Sequence, residues 1–158
     1  MPDRVSGVAQ LTRTIYAVVV MRGLTMGWFG KEPPKELWDE AIAWPIGDIE
    51  AAERLRSICR SAADSAAWVG GYAGRADVSK SVHQQHERES ARYQQAARAA
   101  MEIAMKISDE LMRDAGVREI VELCLKAGDL KTARILFRAV QSPAIRDMVL
   151  RDRPDLAP

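Results

Sequence analysis

The chain has 158 residues, with 23 Lys and Arg against 22 Asp and Glu, a formal charge of +1. At 47% hydrophobic and 28% charged, it has the make-up of one folded domain and not of a disordered tail, a collagen or a disulfide scaffold. The near-balance of charge supplies no global field to gather nucleic acid or anionic lipid.

Cys59 and Cys124 stand in separate apolar segments and neither belongs to a Cys-x-x-Cys pair. That usage fits two buried, reduced thiols in a cytosolic protein, with a long-range disulfide in a secreted one as the alternative. Met1-Pro2-Asp3-Arg4 leads into no signal-type apolar core, since Gln10, Thr12, Arg13 and Thr14 interrupt it. The most apolar window, Tyr16 to Phe29, contains Arg22 and falls short of the roughly 20 residues a bilayer demands. A cytoplasmic protein without a membrane span is expected.

Alanine occurs 24 times and alternating β-branched runs are rare, so the expected fold is all-α: an irregular bundle of six or seven helices. Val8, Leu11, Ile15, Val18 and Val19 predict a first helix over about 7–22. Residues 23–34 read as a loop anchored by Trp28 and Phe29, and a short helix is expected from Pro34 to Trp44. Asp48 then caps a helix over about 49–69, whose apolar row is Ile49, Ala52, Leu55, Cys59, Ala62, Ala66 and Val69. Gly70-Gly71-Tyr72-Ala73-Gly74 reads as a connector.

The longest element is expected over about 80–115, closed by Gly116. Its seam runs Val82, His86, Glu89, Tyr93, Ala97, Ala100, Ala104, Ile107, Leu111, polar in its first half and apolar in its second. The polar half is expected to project, meet a partner or carry a site. The core is expected around 49–69 and 93–115. Three short amphipathic helices follow, with Gly128-Asp129 turning between the first two, Pro143 opening the third and Pro154 stopping it. The whole chain reads as a single helical domain, with a possible division into 1–69, a Gly-rich connector at 70–79, and 80–158.

Ligand-like spacing occurs once, in His83-Gln84-Gln85-His86-Glu87. On a helix His83 neighbours both His86 and Glu87, and two imidazoles with a carboxylate suit zinc, iron or nickel. A solvated helix face is the plainer reading, and no cofactor is expected. Asp39/Glu40 and Asp109/Glu110 read as solvated charge patterning. No Gly-x-Ser-x-Gly appears, and the glycines at 70–74 lack the Gly-Lys-Ser/Thr ending of a phosphate loop. Enzymatic chemistry is therefore the less favoured class.

Residues 126–153 carry seven Lys and Arg against three Asp. Lys131, Arg134, Arg138 and Arg146 form a candidate basic patch. As a helix–turn–helix with Gly128 at the turn, the stretch would put Arg134 where an apolar core residue is needed, so nucleic-acid binding is the weaker reading. Gly128-Asp129, Ala133 and Phe137 keep a Gly-Asp-x3-Ala-x3-Phe spacing, with Ile120 and Cys124 on the preceding helix. Over 117–143 the chain thus resembles part of one tetratricopeptide repeat, departing at Val140 and at Pro143. The resemblance implies an antiparallel helical hairpin and hints at protein binding, although a peptide groove needs at least about three such units.

The residues together predict a non-catalytic protein that binds another protein, as adaptor, inhibitor or regulatory subunit. Trp28, Phe29, His86, Glu89 and Tyr93 are its candidate contact residues. Self-association through the long helix, giving a homodimer, is a further expectation. A helical metal protein using His83, His86 and Glu87, and a nucleic-acid binder using the basic helices, are the rivals.

Overall fold

A computed structural model describes residues 35–72 and 79–157. The expected helix at 7–22 and the loop anchored by Trp28 and Phe29 lie outside these residues. The described part holds six α-helices and no strand: α1 (Asp48–Ser61), α2 (Ala63–Tyr72), α3 (Lys80–Ala104), α4 (Glu110–Lys126), α5 (Leu130–Ala139) and α6 (Pro143–Asp152). Single 3-10 turns stand at Leu37–Asp39 and Pro154–Leu156.

The apolar row expected over 49–69 is the inner face of α1 and α2. Ala52, Leu55, Cys59, Ala62 and Ala66 are all buried. At Ala62 the helix is interrupted, but Ala62 N–H still donates to Ile58 O and Ala66 N–H to Ala62 O, so α2 continues the path of α1. Both pack on α3 and α4, so segments on either side of residues 73–78 share one core. Small residues permit the close approach. Gly70 belongs to α2 and not to a connector: a Cβ there would overlap the Lys126 carbonyl oxygen.

The expected single helix over 80–115 is two helices. α3 stops at Ala104, and Asp109 caps α4 by accepting the Met112 N–H at 2.8 Å. Gly116 lies inside α4 and does not close a helix. It is there because a Cβ would stand 2.9 Å from Leu55 Cδ1, in a wall where Leu55 is fully buried. Leu111, placed on the core seam by its spacing, is consequently on the new helix's outer side and 60% exposed.

The short helix expected from Pro34 to Trp44 is also absent over its described part, beyond the one turn at Leu37–Asp39. Past Glu40, which is extended (φ −75°, ψ 121°), the exposure alternates with period two. Ile42, Trp44 and Ile46 lean inward while Ala41, Ala43, Pro45 and Gly47 face out. This strap is tied down by side chains from the helices. Arg54 Nη2 donates to Leu37 O (3.0 Å), Glu40 O (3.4 Å) and Glu40 Oε2 (3.2 Å). Carbonyls that a helix would bond internally are thereby satisfied from outside.

From Val117 on, the C-terminal third keeps its expected order of helix, Gly128-Asp129 turn, helix and Pro143-opened helix, although the first of these begins earlier, at Glu110. α4 and α5 form a hairpin over a three-residue turn, Gly128 adopts φ +72°, and Asp129 caps α5 by accepting the Thr132 N–H. Ala133 and Phe137 are buried against α4. Asp114, 2% exposed, accepts the Gln141 and Ser142 N–H groups at 2.8 and 2.7 Å, which orients the start of α6.

Candidate functional site

Between the strap and the faces of α1 and α3 lies an open cleft of about 170 Å³. Leu37, Ile42, Ile58 and Ile103 give it apolar walls, Trp38 and Trp44 its aromatic ones, and Arg54 and Lys106 its cations. The Lys106 ammonium stands 4.3 Å from the Trp44 ring centroid, a cation–π contact that covers the ring with an alkyl stem and a charge. The Arg92 guanidinium fixes the opposite end. It makes a bidentate pair with Glu36 (2.7 and 3.1 Å), donates to Ser65 Oγ at 2.8 Å, and lies 5.5 Å from the Trp38 ring. Glu36 holds the Arg92 charge and raises its pKa further. The Trp38 Nε1–H is buried with no hydrogen-bond acceptor among the described residues.

Beside the cleft, the Asp48 carboxylate knots two helix starts together. It accepts from Ser108 N (3.1 Å), Ser108 Oγ (2.6 Å) and Asp109 N (2.8 Å), and these bonds hold its pKa below the ordinary value. The sequence places Asp48 as a helix cap; instead it is the first residue of α1, and Gly47 occupies the cap position. The knot brings Ile49 next to the α3–α4 turn. Ile49 (65% exposed), Leu111 (60%) and Met105 (42%) are three of the six large apolar side chains left in solvent among the described residues. Two of them, Ile49 and Leu111, were expected in the core. Ile49 is the first member of its expected row, and Leu111 falls beyond the turn that ends α3.

The expected metal cluster has other engagements. His83 Nδ1 and the Tyr72 hydroxyl are hydrogen-bonded at 3.2 Å, His83 Nε2 stands 3.5 Å from Glu87 Oε1, and the His86 ring stacks on Tyr72 with centroids 3.8 Å apart. No three His, Cys, Asp or Glu side chains among the described residues gather as a cation's ligand set. Tyr72, which the spacing argument missed, is the residue that organises both imidazoles.

Of the expected contact residues on α3, His86 and Glu89 are half-buried. Tyr93 is 4% exposed and a core residue, so it offers no surface to a partner. Burial, with Cys124 and Asp129 beside its hydroxyl, raises its pKa. Cys59 and Cys124 are free and buried, and desolvation pushes both thiols up to about 12.

Lys131, Arg134 and Arg138 lie exposed along one side of α5, at spacings of three and four residues. Arg134 Nη2 donates to Asp155 O at 3.1 Å. Arg146 leaves this group: its guanidinium lies 4.9 Å from the Phe137 ring and its Nη1 donates to Val140 O. The remaining carboxylate pairs have structural partners. Asp39 accepts the Glu36 N–H, Glu40 pairs with Arg54, and Asp109 caps α4.

No helix among the described residues is long and apolar enough to cross a membrane. Comparison with protein-family models, with curated proteins and with solved structures finds no match to this chain, so the tetratricopeptide likeness stays local to the α4–α5 hairpin.

Proposed function

We propose that this is a non-catalytic interaction protein, an adaptor, inhibitor or regulatory subunit that docks another protein at the bundle end formed by the strap, the start of α1 and the α3–α4 turn. The observation that carries the reading is that exposed Ile49, Met105 and Leu111 belong to the segments that the Asp48 knot ties together. Isolated exposed apolar side chains are ordinary; three large ones on segments held together at one place have the make-up of a contact surface. The frame beneath is fixed by Arg92, Arg54 and Asp48, so little ordering would be lost on binding. The groups that could do chemistry support the same reading from the other side: the thiols are buried and protonated, and Asp48, Asp109, Asp114 and Asp129 are spent on backbone N–H groups.

Affinity capture from the native host tests this, using the full chain and its Ile49→Asp/Leu111→Asp variant, with mass spectrometry of what co-purifies. The expected result is one protein recovered in near-stoichiometric amount by the wild type and at least about tenfold less by the variant, with unchanged thermal melts for two surface positions. Recovery undiminished in the variant, or no protein recovered above background by the wild type, overturns the reading.

A further inference from the structure

The strap, residues 35–47, covers the bundle without belonging to its core. Every one of the six helices contributes buried side chains, whereas no residue from Lys35 to Gly47 is buried. Its backbone is as loosely joined. Asp39 N–H donates to Glu36 O at the single 3-10 turn, and no backbone–backbone bond involves residues 41–46. What holds the strap comes from side chains of the bundle. Arg92 of α3, itself seated on Ser61 and Ser65, takes the Glu36 carboxylate. Arg54 of α1 takes the Leu37 and Glu40 carbonyls with the Glu40 carboxylate, and Lys106 lies over Trp44. Both ion pairs are partly solvated, with side chains 23–51% exposed, and pairs open to water contribute little.

Across the cleft Leu37, Trp38, Ile42 and Trp44 face Ile58, Ala99 and Ile103, and this apolar cover favours the closed form. At its end the strap meets a fixed point. Asp48, bonded to Ser108 and Asp109, anchors α1 to the α3–α4 turn, and a Cβ built on the neighbouring Gly47 would meet nothing within 4 Å. Segments with few buried apolar contacts open locally, at lower cost than global unfolding.

From this we infer that the strap is a lid: residues 36–46 lift from α1 and α3 as one unit, hinged at Gly47, while the helices stay folded, and the Arg92–Glu36 and Arg54–Glu40 fastenings set how often it opens. The open form bares Ile58, Ala99 and Ile103 and releases both guanidinium groups. The docking surface proposed above includes the strap, so it is complete in the closed form alone. The lid itself is a property of the free chain and stands or falls without any partner.

The Trp38 indole reports opening directly. Its Nε1–H is shielded from solvent and has no acceptor among the described residues, so exchange requires water to reach it. The Ile58 amide, inside α1 on the facing wall of the cleft, reports the bundle. Hydrogen exchange of both is followed by NMR on the isotope-labelled full chain, with the indole assigned from Trp38→Phe. Trp38 is expected to be at least about tenfold less protected than Ile58, and to depend little on urea where Ile58 exchange rises steeply. Two variants separate the lid from the bundle. Glu36→Gln weakens a contact made only in the closed form, so it should speed Trp38 exchange by about twofold to fivefold. Asp114→Ala weakens the attachment of α6 in open and closed forms alike, so it should speed Ile58 exchange and leave Trp38 as in the wild type; Gly70→Ala takes its place if that variant does not fold. Equal urea dependence of the two reporters, parallel acceleration of both by the bundle variant, or Trp38 exchange unmoved by Glu36→Gln overturns the inference.

Discussion

Gly70 and Gly116 both sit inside helices, where glycine costs about 1 kcal/mol relative to alanine, yet their surroundings differ. At Gly70 an added methyl meets the Lys126 backbone, which cannot rotate away; at Gly116 it meets the Cδ1 end of the Leu55 side chain. Gly70→Ala should therefore destabilise the fold by about 1–3 kcal/mol, while Gly116→Ala should stay within about 1 kcal/mol of wild type because improved helix propensity offsets the repacking. Urea denaturation of the two variants measures the difference. Asp48 supplies a second test, with a sign set by its depressed pKa. A carboxylate held below its unfolded value of about 3.9 stabilises the fold above that pH, and the contribution disappears as pH falls through the folded value. The melting temperature of Asp48→Ala should lie below wild type at neutral pH, and the gap should narrow as the pH drops below about 4. The buried thiols carry the opposite sign. Their folded pKa near 12 lies above an unfolded value of about 8.5, so stability should fall as pH rises through that window.

The inner row of α1–α2 and the starts of α5 and α6 were legible because periodicity and turn residues agreed there, whereas Asp48 as a cap and Gly70 and Gly116 as breakers were misread. Asp129, Gly128 and Pro143 all do what their residue types favour. The failures have specific causes. Ala104, Ile107 and Leu111 continue a heptad seam across a turn, so the spacing concealed the Ser108-Asp109 start signal of α4. In the strap, Leu37, Ala41 and Trp44 fit a helical stripe, but the large–small alternation of Ile42, Trp44 and Ile46 with Ala43, Pro45 and Gly47 was the operative pattern. Tertiary donors, chiefly Arg54, then satisfied an extended backbone that local propensity did not anticipate. Asp114 tests an element-scale contact of the same kind. It holds the start of α6 through two backbone N–H groups, and Asp114→Ala should cost about 3 kcal/mol, since bonds to a charged acceptor are worth roughly 1.5–3 kcal/mol each. Calorimetry gives the value, and exchange of the α6 amides should accelerate before that of α1.

On the scale of the molecule, the candidate surface was the least legible feature. Ile49 and Leu111 read as core residues, because spacing alone marks neither the end of a packed face nor a turn between two helices. Only the Asp48 contact to Ser108 and Asp109 shows that their segments are held together. Tyr93 shows the converse: a polar seam position that burial among α4 residues removes from the surface. Hydrogen–deuterium exchange on the full chain, alone and bound to the protein captured from its host, distinguishes the bundle end from α5 as the contact surface. Binding should protect residues 41–53 and 105–112 while the α5 segment 130–139 exchanges as in the free chain. Protection centred on α5, around Lys131, Arg134 and Arg138, with the bundle end unchanged, would contradict it.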